Sequence, residues 1–78
     1  MKLRYAAHTE DVQASLSTDV ALLVDMAWAF VSRHESLTPG VDVLRLACHG
    51  KMLDETLQLG HYAGGDTALQ IFKLRRNV

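Results

Sequence analysis

One apolar run of helical period stands between segments that alternate every second residue, and that arrangement constrains the chain more than anything else in it. In "VALLVDMAWAFV", Val20, Leu23, Val24, Ala27, Phe30 and Val31 share one face at roughly 100° per residue, with Asp25, Ser32 and Arg33 turned away. Ser17, Thr18 and Asp19 precede it as N-cap candidates, and Asp19 brings negative charge to the positive end of the helix dipole. "SLTPG" stops it, because Pro39 disfavours helix in the residue before it and Gly40 permits a turn. The spacing predicts a helix from about Asp19 to Arg33 or His34. Leu22, Met26 and Trp28 fit neither side. Trp28 lies about 80° from Val20, at the margin of the stripe, where it reads as core filler with its indole N–H near the edge. A helix surface around Trp28 that meets a second copy or another domain is the rival reading. Leu22 and Trp28 lie about 120° apart, too far to make one patch.

The flanking segments carry the two-residue period of half-buried strands. "MKLRYAA" alternates Met1, Leu3 and Tyr5 with Lys2, Arg4 and Ala6. "HTED" reads as a polar turn and "VQASL" as a second strand with Val12, Ala14 and Leu16 inward. In "VDVLRLAC", Leu44, Leu46 and Cys48 point inward, while Arg45, Ala47 and then His49 point outward. Gly50-Lys51 is expected to turn into a short strand, Met52-Leu53, and a helical turn is expected between Glu55 and Leu59. "TALQIFKLRR" is the last strand, with Leu69 and Ile71 inward and Gln70, Phe72 and Leu74 outward. The order β-β-α-β-β-(short turn or 3-10)-β predicts one α+β domain over residues 1–78, with a single helix across one face of a mixed sheet. The last strand is expected to enter beside the first as a parallel pair.

Size and charge narrow the function. A chain of 78 residues buries only ~60% of its unfolded surface, which leaves one modest core and little room for a deep cleft. A formal net charge of −1 supplies no global field for nucleic acid or anionic lipid, so any partner must meet a local patch. The apolar run is about twelve residues long and includes Asp25, short of the roughly 20 needed to cross a bilayer. Cys48 is the only cysteine, which suits a reducing compartment, and Met1-Lys2 leads directly into a strand without a signal peptide. The expectation is a soluble protein of the cytoplasm or nucleus.

Chemistry-bearing patterns are weak. Cys48 reads as a small buried hydrophobe, and neighbouring His49 falls on the opposite strand face. His8, His34, His49 and His61 show neither helical i, i+4 nor strand i, i+2 spacing, so no metal is expected. Gly64-Gly65-Asp66 lacks the Lys-Ser/Thr that follows the glycines of a phosphate loop. No nucleophile-base spacing or carboxylate pair stands out, and no cofactor or enzymatic activity is expected.

"RLACHGKMLDETL" carries the most specific pattern in the chain. Arg45, Leu46, Gly50, Lys51, Leu53, Asp54, Thr56 and Leu57 resemble the ubiquitin family's hairpin, Arg-Leu-x-x-x-Gly-Lys-x-Leu followed by acidic residues and Thr-Leu. "GDTALQIFKLRR" looks like that family's last strand with its basic tail, and "MKLRYAA" like its first strand. The resemblance covers the whole chain, although the helix and the stretch from Gly60 to Asp66 match less closely. It implies a β-grasp fold.

The resemblance also implies where function lies. Conjugated members end in a flexible diglycine, and Asn77 and Val78 stand in its place here, so the chemical handle for conjugation is missing. A modifier with a processed tail, or a longer parent protein, stays an alternative. Lys51 matches a family lysine used in chain building but also suits an exposed turn with no such role, the preferred reading without conjugation. In the family's conjugated type member the outward sheet face carries a small apolar patch read by many receptors, centred on an isoleucine whose matching position is Ala47. Gln70 and Phe72 flank it, Arg45, His49, Arg4 and Ala6 surround it, and Leu74 extends it. The reading is therefore a monomeric, non-covalent docking module for ubiquitin-receptor-like domains or proteasome or segregase components. The shortened centre at Ala47 shifts the apolar weight to Phe72.

Overall fold

The computed structural model describes residues 1–62 and 68–75. Five strands, β1 (Lys2–Tyr5), β2 (His8–Asp11), β3 (Asp42–Cys48), β4 (Lys51–Met52) and β5 (Ala68–Arg75), form one mixed sheet in the order β2-β1-β5-β3-β4. Helix α1 (Val20–Ser32) crosses one face, and a 3-10 turn, Leu59–His61, precedes β5. β5 runs parallel to β1 and antiparallel to β3, so the first and last strands lie side by side within the sheet. This is the α+β arrangement that the alternation and the lone helix predict, and it is β-grasp-like, as the family resemblance implies.

The core follows the two periods. Leu3, Leu44, Leu46, Leu69 and Ile71 from alternate strand positions meet Val20, Leu23, Ala27, Phe30 and Val31 from the helix. Leu53, Leu59 and Cys48 close its margins. Full burial of each large aliphatic side chain contributes about 1.5–3 kcal/mol of transfer free energy, which is how one helix holds five strands. Met26 and Trp28 are half-buried against this core, as filler at the margin of the stripe, and Leu22 is exposed.

Three local expectations are corrected. The first hairpin turns at Ala6-Ala7, because Tyr5 pairs with His8, so the polar "HTED" is strand β2 itself rather than a turn. An edge strand paired on one side only can be polar throughout, which hides it from a reading based on buried residues. Val12 and Ala14 still lean on the core, but Leu16 is exposed and belongs to no strand.

Second, the segment before the helix is zipped to residues 57–60. Val20 N–H donates to Leu57 O (3.0 Å), Leu59 N–H to Thr18 O (2.8 Å) and Gly60 N–H to Leu16 O (2.7 Å). Asp19 stands at the N-cap position, yet its side chain makes no capping hydrogen bond, and the first helical N–H, that of Val20, is met by Leu57 O instead. This pairing also displaces the short helical turn from Glu55–Leu59 to Leu59–His61.

Third, the β3–β4 turn is His49-Gly50 rather than Gly50-Lys51. Both residues take positive φ, 52° and 79°, the pattern of a two-residue type I′ hairpin. Lys51 therefore pairs with Cys48, and Met52 with Ala47.

Candidate protein-docking face

The face of the sheet opposite α1 is assembled by register. Arg4 pairs with Gln70, Gln70 with Ala47, and Ala47 with Met52, so one row crosses β1, β5, β3 and β4. The next row along β5 pairs Phe72 with Arg45, and the one after it pairs Leu74 with Val43. All of these are outward positions because their neighbours Leu3, Leu44, Leu46, Leu69 and Ile71 point into the core.

Phe72, Met52 and Leu74 are 42%, 43% and 46% exposed, large apolar side chains held against water by strands that cannot turn them inward. Ala47 lies among them at 7% exposure, yet it is no part of the core cluster. It is the floor of a depression of about 290 Å³ walled by Arg4, His49, Met52, Gln70 and Phe72. Of the residues expected to form a binding face, Arg4, Ala47, His49, Gln70 and Phe72 thus come together. Arg45 and Leu74 continue the surface one and two rows on. His49 contributes from the turn, not as a strand residue, and Ala6 is withdrawn into the other hairpin turn.

Met52 is the member that alternation alone does not single out. A two-residue turn at His49-Gly50 puts it opposite Ala47, so the signal was the turn chemistry rather than the apolar pattern. A second, open groove lies on the far side of Met52, beside Arg45, Asp54 and Glu55. Asp54 Oδ1 accepts from Thr56 N–H (2.8 Å) and Oγ1–H (2.6 Å). Those bonds hold its carboxyl below the usual carboxylate range, with smaller help from Arg45 and His61. The buried Nε of Arg45 has no hydrogen-bond partner among the described residues.

Other polar groups lie at the opposite end of the molecule and on the helix side. Tyr5 donates to Glu35 Oε1 (2.8 Å), and Lys73 Nζ pairs with the same oxygen (2.7 Å). The Lys73 ammonium and the Tyr5 hydroxyl hold Glu35 below its ordinary value, and Glu35 in turn raises Lys73. Burial, and then Glu35, raises the Tyr5 phenol. Arg33 pairs with Glu10, and the rings of His8 and His34 stack 3.7 Å apart, tying the first hairpin to the end of α1. Cys48 is buried.

Among the described residues, no three His, Cys, Asp or Glu side chains converge as a metal site, and no helix is long and apolar enough to cross a membrane. The expectations placed on Gly64-Gly65-Asp66, Asn77 and Val78 lie outside the described residues. Comparison of the chain with protein-family models, with curated proteins and with solved structures finds no match.

Proposed function

We propose that this chain is a ubiquitin-like β-grasp domain working as a non-covalent docking module, which receives a partner protein on the sheet face opposite its helix. One observation carries the reading. Of the five large hydrophobic side chains exposed among the described residues, Met52, Phe72 and Leu74 share that face, while Leu16 and Leu22 lie elsewhere. Their contact with a partner supplies affinity, and Arg4 and Arg45 beside them steer acidic surfaces and orient the complex. The partner class is the one implied by the family resemblance: short helical ubiquitin-receptor domains, or proteasome and segregase components. No covalent chemistry is needed, and the proposal assigns the domain no enzymatic activity.

The test is a titration of the ¹⁵N-labelled protein with a short helical ubiquitin-receptor domain. Amide shifts are expected at Ala47, Gln70 and Phe72. Phe72→Ala is expected to weaken binding by about 1–2 kcal/mol, a factor of roughly five to thirty, with little change in the unfolding midpoint. Shifts confined to α1, or undiminished binding by the Phe72 variant, would refute the proposal.

A further inference from the structure

We infer that the partner of this face inserts one bulky apolar side chain, next to an acidic residue, into the depression floored by Ala47. The inference rests on the docking reading and specifies the chemistry of what docks. The centre of the face is a hole rather than a knob: Ala47 sits at 7% exposure beneath Met52 and Phe72, each more than 40% exposed. A volume of about 290 Å³ falls just under the range of ligand pockets, which run from about 300 to 1,000 Å³. It is room enough for one bulky side chain.

Charge sets the orientation. The ionisable groups of the described lining are Arg4 and His49, while Asp54 and Glu55, with Arg45 as the single cation among them, border the neighbouring groove across Met52. A carboxylate beside the inserted side chain therefore belongs at the Arg4 end. Toward Asp54 and Glu55 it meets two carboxylates against the one guanidinium of Arg45, so docking with the acid at Arg4 is favoured.

Filling the floor gives predictions of opposite sign. If a partner side chain enters the depression, Ala47→Leu occupies its place and binding falls. If the partner lies over a convex surface, the same change adds contact and binding tightens. Residue 47 faces away from the core, so the fold is expected to accept the change. Ala47→Val, β-branched and suited to a strand, makes the same test should the leucine variant unfold.

The probes are indole-3-propionate, which joins an apolar ring to a carboxylate, and tryptamine, which joins the same ring to an ammonium. Each is titrated into the ¹⁵N-labelled protein. Indole-3-propionate is expected to shift the amides of Arg4, Ala47, Gln70 and Phe72, with tryptamine at least tenfold weaker. Ala47→Leu should lose at least tenfold, and Arg4→Gln should erase the preference for the acid. Equal or tighter binding by both residue-47 variants, or shifts elsewhere, would overturn the inference, as would the absence of any shift. A receptor domain that binds the Ala47 variants normally but loses affinity for Phe72→Ala would sink the inserted side chain and leave the docking face standing.

Discussion

Gly60→Ala tests the least anticipated feature of the fold, the zipper between the segment before the helix and residues 57–60. A Cβ added at Gly60 would lie 2.8 Å from Leu16 O and 3.0 Å from Leu16 Cβ, whereas ordinary contact begins at 3.4 Å. The segments must part by about half an ångström, and the nearest atom is backbone, so no side-chain rotation relieves the clash. The same carbonyl accepts the Gly60 N–H at 2.7 Å, so parting them also weakens that hydrogen bond. Overpacking costs about 1–3 kcal/mol and a weakened hydrogen bond about 0.5–1.5 kcal/mol. Loss of glycine's freedom in the unfolded chain returns about 0.4–1 kcal/mol. The net destabilisation is about 1–3 kcal/mol, and in a domain of this size each kcal/mol lowers Tm by about 4–8 °C. Urea titration followed by Trp28 fluorescence, with an unchanged denaturant slope, measures it. Amide exchange at Val20, Leu59 and Gly60 should quicken in parallel, since their N–H groups are the zipper's donors. An unchanged or raised midpoint would refute the close approach of Gly60 to Leu16.

Two further outcomes follow from local geometry. Ala6 holds φ 52° at the first central position of the first hairpin turn, a conformation that costs an L-residue about 1–2 kcal/mol. Ala6→Gly removes that cost at the expense of glycine's own entropy and should raise stability by about 0.5–1 kcal/mol in chemical denaturation. Glu35 is lowered in the folded state from its ordinary 4.5, so its contribution to stability is complete above that value and is lost as pH falls through the folded one. Glu35→Gln should therefore be less stable at neutral pH and lose less on acidification below 4.5, as read from Tm against pH.

Much of this was legible because both periods are strong. Leu44, Leu46, Leu69 and Ile71 could point only one way once the helix stripe from Val20 to Val31 was recognised, and with them went Phe72 and Leu74 on the other side. What stayed hidden lacked an apolar signature. β2 is a polar edge strand entered through two alanines, neither of them a turn-forming residue, so nothing in "AAHTED" marks the hairpin's turn at Ala6-Ala7. The zipper uses backbone groups alone, which no side-chain pattern reports. The links of Tyr5, Glu35 and Lys73, and of His8 with His34, join residues far apart in the chain and exist only once the topology does. For the docking face, alternation selected the side, but depth came from the side chains that wall in Ala47, and Met52 required the correct turn.

The parallel pairing of β1 with β5 has a consequence for synthesis. While the polypeptide emerges from the ribosome, the first strand has its hairpin partner β2 on one flank and a vacancy on the other, and only the last strand can fill that slot. β3 waits for the same strand, since no other bridges it to β1. Until then the oily side of the helix has half a sheet to rest on. The domain must therefore assemble after its final strand is released, a late, long-range closure that ties its folding rate to how quickly the two ends find each other.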